Sequence, residues 1–262
     1  MLSIEKQILF LLSRAKEVTS QEFVQIYEMR GYSKQYIRNV LFNLKKNKLV
    51  ISPERSIYHI TEEGSSLIKT INKKPLYYNK DWDGAWDVVM FEFPVDERKK
   101  RDLLRTHLLE LGFGLLYNSV YISPWDHKKQ IVDFLELNEM RSNSTYFHGK
   151  IVSAPLNPAD TFKIWPLENI KNEYGKYWDW FQNEFKVQIE PISQVSDDEL
   201  FINHILLGEK LSEIMLMDPM LPQQLLPSDW KGHQIFQEIY DYFLFLGRSI
   251  PRDSKYYRFV TT

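Results

Sequence analysis

Ser33-Lys34-Gln35-Tyr36-Ile37-Arg38-Asn39-Val40-Leu41-Phe42-Asn43-Leu44-Lys45-Lys46 is the stretch on which the reading of this chain turns. Ile37, Val40, Leu41 and Leu44 recur at i, i+3, i+4 and i+7, the narrow apolar stripe of one helix face. Ser33 precedes that stripe and offers a side-chain oxygen suited to an N-cap. Off the stripe stand Lys34, Gln35, Arg38, Asn39, Lys45 and Lys46. Such side chains donate hydrogen bonds to phosphates or to base edges in a major groove. A merely solvated helix face has the same composition, so the flanking sequence has to decide.

Upstream, Ile4, Ile8, Leu11 and Leu12 repeat at helical spacing, with Glu5 and Lys6 off their face. Thr19 or Ser20 can cap a second helix carrying Phe23, Ile26 and Tyr27, which Gly31 stops. Gly31-Tyr32 leaves only the short turn of a helix-turn-helix before Ser33. Downstream, Leu49-Val50-Ile51 and Ile57-Tyr58-His59-Ile60 flank the polar run Ser52-Pro53-Glu54-Arg55-Ser56, a hairpin pattern. Three helices followed by a hairpin predict a winged helix-turn-helix domain over residues 1–72, with Arg55 on the wing. Ser33, Lys34, Gln35, Arg38, Asn39, Lys45, Lys46 and Arg55 are the candidate DNA-binding residues.

The charge distribution agrees. The whole chain holds 33 Lys and Arg against 35 Asp and Glu, a net −2. Residues 1–80 carry 14 against 7, and residues 81–262 carry 19 against 28. A basic head on an acidic body suits a protein whose head meets a polyanion and whose body does not. Chance asymmetry is the competing explanation.

Composition narrows the chemistry. With 44% hydrophobic and 26% charged residues the chain is ordinary for a globular protein, and its 262 residues fit two or three domains. There is no cysteine, which removes disulfides, a thiolate nucleophile and cysteine zinc sites. His59, His107, His127, His148, His204 and His233 never fall at i, i+3 or i+4 spacing, the local signature of a metal site. No Gly-rich phosphate loop or Gly-x-Ser-x-Gly is present. No catalytic residue, metal ligand or cofactor is therefore expected, and the protein is read as a non-enzyme. No run reaches the ~18 apolar residues of a membrane span. Met1 to Leu12 lacks the basic start and small-residue cleavage site of a signal peptide. A cytoplasmic protein without a membrane partner is the expectation.

Asn72-Lys73-Lys74-Pro75 and Tyr77-Tyr78-Asn79-Lys80 read as a linker. A second domain over residues 81–154 follows. It holds a strand over 87–93, a charged helix over 96–111 with Leu103, Leu104, Leu108 and Leu111, and a hairpin of 115–117 with 120–122. A helix over 125–137 and a strand over 145–152 complete it. That β-α-β-β-α-β order is ferredoxin-like. Residues 160–262 read as a helical domain. Its elements are an aromatic-rich stretch over 167–186, an amphipathic helix over 197–216, and a helix capped by Ser228 and running to Gly247. The expected class is α+β.

From the middle domain onward the chain resembles the PaaX family of bacterial transcriptional repressors. The resemblance rests on Trp82-Asp83-Gly84-x-Trp86, Phe91-Glu92-Phe93-Pro94 and Arg98-x-x-Arg101-Asp102-x-Leu104-Arg105. It continues in Leu111-Gly112-Phe113-Gly114 and Tyr121-Ile122-Ser123-Pro124. It ends in Asp218-Pro219-x-Leu221-Pro222-x-x-Leu225-Leu226-Pro227-x-x-Trp230-x-Gly232. Glu92 stands where aspartate is expected, and no arginine lies between His204 and Met217. The resemblance implies a homodimeric repressor of phenylacetate catabolism genes, released from a double-stranded operator by an aryl-CoA thioester such as phenylacetyl-CoA. Trp82 and Trp86 are candidates to stack on such an inducer, or else pack between domains. Arg101 and Arg105, at i and i+4, are candidates to neutralise its phosphates, or else pair with the acidic body. A different reading is a metal-dependent nuclease. The ferredoxin-like domain is similar to small CRISPR-associated endonucleases, with Glu92 near the place of their metal-binding acid.

Overall fold

The structure, a computed structural model, describes residues 4–260, with the side chains of residues 70–73, 75 and 79 left aside. Residues 1–3 and 261–262 of the expected domains lie outside the described residues. The first elements are α1 (Ile4–Arg14), β1 (Val18–Thr19), α2 (Ser20–Glu28), α3 (Lys34–Lys46), β2 (Val50–Ile51), β3 (Ile57–Ile60) and α4 (Glu62–Lys73). Ile4, Ile8, Leu11 and Leu12 of α1, Phe23, Ile26 and Tyr27 of α2, and the α3 stripe are all buried. Thr19, not Ser20, caps α2. Its hydroxyl accepts from the Glu22 N–H at 3.2 Å, while the Glu22 carboxylate accepts from the Thr19 N–H at 2.8 Å. This reciprocal capping box satisfies two otherwise orphaned donors. Gly31, at φ +83°, makes the turn into α3.

The hairpin of β2 and β3 is present, with Val50 opposite Ile60 and Ile51 opposite His59. Two neighbours of it escaped the sequence reading. Val18-Thr19 adds a third antiparallel strand, in the order β1-β3-β2, and residues 62–73 form a helix ahead of the expected linker. Residues 62–66 carry a glycine and two serines, poor formers of a helix interior. Yet Gly64 is there for space: a Cβ would fall 2.3 Å from the Leu49 carbonyl oxygen. The linker itself is a correction. Lys74–Asn79 is 3-10 helix, and Lys74 is buried.

Next come β4 (Trp86–Phe91), α5 (Arg98–Leu111), β5 (Gly114–Tyr117), β6 (Val120–Ser123), α6 (Lys128–Leu137) and β7 (Ser144–Gly149). The antiparallel sheet has the order β5-β6-β4-β7, with Val88 paired to Ile122 on one side and Phe147 on the other. Val89, Phe91 and Tyr121 form one core with Leu104, Leu108 and Leu111 of α5 and Ile131 and Leu135 of α6. Both helices therefore cover the same sheet face. Several boundaries differ from expectation. A 3-10 turn, Val95–Glu97, precedes α5, and Leu103 is exposed. Trp125 does not open a helix: it is buried and its indole N–H donates to the Met220 carbonyl at 2.8 Å. The last strand ends at Gly149 rather than Val152.

The remainder is helical: α7 (Pro158–Ile164), α8 (Leu167–Trp180), a π-helical turn (Phe181–Phe185), α9 (Lys186–Ile189), α10 (Asp197–Met217), α11 (Gly232–Ser249) and α12 (Tyr257–Val260). Of the aromatics in that stretch, Tyr174, Phe181 and Phe185 are core. Ser228 is not the cap of α11, which begins at Gly232. The chain forms two compact units, each built from segments distant in sequence. One holds Met1–Lys73, Tyr174–Ile214 and Gln234–Thr262; the other holds Lys74–Glu173 and Met215–His233. No helix among the described residues is long and apolar enough to cross a membrane.

Candidate nucleic-acid interface

The face of α3 opposite its buried stripe is open. Ser33 accepts from the Tyr36 N–H at 3.2 Å and starts the helix where the sequence places the cap. Lys34, Gln35, Arg38, Asn39, Lys45 and Lys46 are all exposed, as is Ser33 itself. The Gln35 amide donates to Asn39 Oδ1 at 2.9 Å, one turn on. Lys34 lies 3.6 Å from Glu28, a solvated pair of small energetic weight. Arg55 is exposed in the loop joining β2 to β3, where Ser56 adopts φ +68° and the Ser52 hydroxyl donates to the Glu54 carbonyl at 2.8 Å. The loop is thus shaped by its own hydrogen bonds while its cation stays free to meet a partner.

Two aromatic residues on this face went unnoticed in the sequence. Tyr36 is 46% exposed and Phe42 66%. The signal was available, since both fall off the apolar stripe, but an aromatic residue in a helix suggests core. Tyr36 is steadied by stacking on Tyr32, with ring centroids 5.7 Å apart. Phe42 stands in the open.

The turn that aims α3 is secured from below. Arg30 donates to Glu209 of α10 at 2.5 Å and also to Gln7 of α1. Its guanidinium lies over the rings of Tyr27 and Tyr32, 5.8 and 5.9 Å from their centroids. At the start of α2, Arg258 of α12 donates to the Glu17 carbonyl at 3.1 Å and to the Glu22 carboxylate. Burial raises the Glu22 carboxyl, but hydrogen bonds from Thr19 and the Arg258 charge outweigh it and hold it below the usual range.

The candidate effector residues do not converge. Trp86 is buried at the start of β4, with Trp82 edge-on at 4.9 Å and Trp165 stacked at 6.5 Å. The Trp82 N–H donates to the Ala85 carbonyl at 2.8 Å. Strand alternation points Trp86 away from the face that Val89 and Phe91 share with α5. Arg101 and Arg105 lie exposed on α5, Arg101 3.2 Å from Asp102.

The nuclease reading gains no support. Glu92 is exposed beside an open groove of about 700 Å³ lined by residues 90–94, 118–120 and 142–145, and it is the one carboxylate in that lining. Among the described residues no three His, Cys, Asp or Glu side chains gather as metal ligands would.

Comparisons with known proteins bear on the rest of the chain. Residues 79–160 match the family model described as "PaaX protein central Cas2-like domain", and residues 165–249 match "PaaX-like protein C-terminal domain". The transcriptional repressor PaaX of Escherichia coli (strain K12) is 26% identical over 231 residues, covering 85% of this chain and 72% of that protein. Among solved structures, the uncharacterized protein Rv0674 from Mycobacterium tuberculosis aligns with a TM-score of 0.54 over 88% of this chain and 89% of its own, at 16% identity. That likeness concerns the fold alone. The two family domains occur in tandem, in order, over the segments that hold the tryptophan, arginine and Asp218-Pro219 motifs, and on that ground this chain belongs to the PaaX family.

Proposed function

We propose that this protein is a transcriptional repressor whose N-terminal winged helix-turn-helix lays α3 in the major groove of duplex DNA. One observation carries the reading. Six groove-competent side chains of α3 are exposed together while every apolar residue of its stripe is buried. Lys45 and Lys46 end the helix as phosphate contacts, and Arg55 reaches the adjacent backbone or minor groove from the wing. The strand order β5-β6-β4-β7, with two helices on one face, supports a ferredoxin-like middle domain. A homodimer would present two copies of α3 about 34 Å apart to a palindromic operator.

Release by an acyl-CoA thioester is the finer part of the reading and rests on the family. Such a ligand acts only through different affinities for the DNA-bound and free forms.

The test is fluorescence anisotropy of the full chain with duplexes from the promoter regions beside its own gene, in Mg²⁺-containing buffer. The expected result is salt-sensitive binding with the DNA left intact. Absence of binding to every duplex at about 50 mM salt, where phosphate contacts are strongest, would remove the reading. Thermal melting with phenylacetyl-CoA, free CoA and phenylacetate separately tests the inducer, since a ligand of the folded state raises Tm.

A further inference from the structure

We infer that α3 reads A·T base pairs, with Gln35 and Asn39 jointly taking an adenine edge and Phe42 packing on a thymine methyl group. The inference rests on the proposed docking of α3 in a major groove and names what is read there.

Phe42 is the most exposed of the large apolar side chains on α3. It is 66% exposed on a helix that buries Ile37, Val40, Leu41 and Leu44 without difficulty. Gln35, Asn39, Phe42 and Lys46 succeed one another at steps of four, three and four residues, so they share one line along the helix. Arg38 and Lys45 flank Phe42 at steps of four and three on its other side. An apolar ring enclosed by cations and amides is poorly placed to seat an apolar helix of another protein. It is well placed against a polyanion that carries an apolar group between its phosphates. In duplex DNA that group is the thymine 5-methyl, which lines the major groove.

The amide pair completes the pattern. An adenine edge there offers an acceptor, N7, and a donor, the N6 amino group, and a reader must supply the reverse. Gln35 Nε2 donates to Asn39 Oδ1 at 2.9 Å. That bond leaves Gln35 Oε1 free to accept and Asn39 Nδ2 free to donate. If the direction of the amide–amide bond were reversed, the pair would still leave one acceptor and one donor outward. The link also fixes two flexible side chains before DNA arrives, which reduces the ordering cost of binding. Both residues lie in the first two turns of α3, where a recognition helix meets bases.

The full-length protein is used to enrich duplexes from a randomised pool. The tightest duplex is then resynthesised with deoxyuridine for thymine, which deletes only the methyl group. Wild type is expected to bind the deoxyuridine duplex about fourfold more weakly per contacted methyl, the worth of burying one such group. Phe42→Ala should lose the same factor on the thymine duplex and no longer distinguish thymine from deoxyuridine. Asn39→Ala should accept other bases at one A·T position with roughly tenfold less discrimination. Equal wild-type affinity for the two duplexes, or a difference kept in Phe42→Ala, would overturn the inference while leaving DNA binding intact. So would a change of oligomeric state in Phe42→Ala, by light scattering, with its thymine preference unaltered. Failure to enrich any duplex would instead sink the repressor reading on which it stands.

Discussion

Arg30, in the turn ahead of α3, and Glu209, in α10, meet at 2.5 Å with side chains only 9% and 3% exposed. They stand 179 residues apart in sequence. The segment that sets the angle of α3 is thus fastened to a helix from the far end of the chain, within one compact unit. A buried pair of this kind adds little net stability against an apolar substitute, yet breaking it strands a charge. Glu209→Ala should therefore destabilise the protein by about 3–5 kcal/mol in urea unfolding. The double variant Arg30→Met, Glu209→Leu should lose clearly less than Glu209→Ala alone. Additive losses in the two single variants would show that the pair is not coupled.

Arg38 and Lys45 separate the two kinds of contact expected of α3. Both are exposed, so neither substitution should alter the fold. Arg38→Ala should cost about 1–3 kcal/mol of affinity for the preferred duplex and relax the choice of base at one position. Lys45→Ala should weaken binding to all sequences alike and reduce the slope of log affinity against log salt by about one. Anisotropy titrations at several salt concentrations read both effects. A wild-type affinity in Arg38→Ala removes that residue from the interface.

The contrast between α3 and Lys74 shows how far the sequence could be read. The helices of the head were legible because each keeps an unbroken 3.6-residue apolar period and a capping residue, as Ser33 and Ile37 to Leu44 do. β1 was not, because two residues carry no period; Val18 becomes a strand only through its partner Tyr58. Lys74 was assigned to a linker because Lys-Lys-Pro is polar, and nothing local reveals that the carbonyls of Met215 and Asp218 await its ammonium group. Arg30–Glu209 was hidden for the same reason: ion pairs between distant segments leave no periodic trace. Phe42 was visible but passed over, although its position off the stripe marks it as exposed. Trp86 points to the sheet face opposite the one that the helix of Arg105 covers, a separation that no local pattern in the sequence shows.

Lys74 is 5% exposed, and its ammonium donates to the Met215 carbonyl at 2.8 Å and the Asp218 carbonyl at 3.1 Å. Burial pushes its pKa down to about 8, with nearby Asp218 and Glu110 only partly opposing the shift. Between pH 8 and its ordinary 10.5 the unfolded chain holds a proton that the folded chain has released. Stability from this group therefore rises with pH through that window and is lost as pH falls through 8. Lys74→Met should cost about 3 kcal/mol at neutral pH, because two buried carbonyls lose a charged donor. It should also abolish the alkaline rise. Urea midpoints at pH 7.5 and 10 test both parts; an undiminished rise would assign it to another group.

Acid should unfold the protein through two buried histidines, His127 and His204, and the half-buried His107. His107 stacks on Phe134 at 3.8 Å and His204 on Phe243 at 4.1 Å, and burial pushes each down to about 4. His127 is held down to about 3 by burial and by the Lys74 charge, and neither of its ring nitrogens has a hydrogen-bond partner. Each must stay neutral in the fold but gains a proton near pH 6.5 once unfolded, so their contribution is complete above 6.5 and is lost as pH falls to about 4 for His107 and His204 and to about 3 for His127. His148 has the opposite sign. Its Nδ1 lies 2.6 Å from the buried Asp87 carboxylate, and that hydrogen bond raises its pKa. Its contribution is complete below 6.5 and fades as pH rises past the raised value. His127→Phe keeps an aromatic ring beside Tyr77 and Phe113. It should leave Tm near neutral pH almost unchanged and raise it at pH 5, whereas His148→Ala should lower Tm at pH 5 more than at pH 8. If both variants shifted Tm equally at the two pH values, proton uptake by these rings would not be what limits stability in acid.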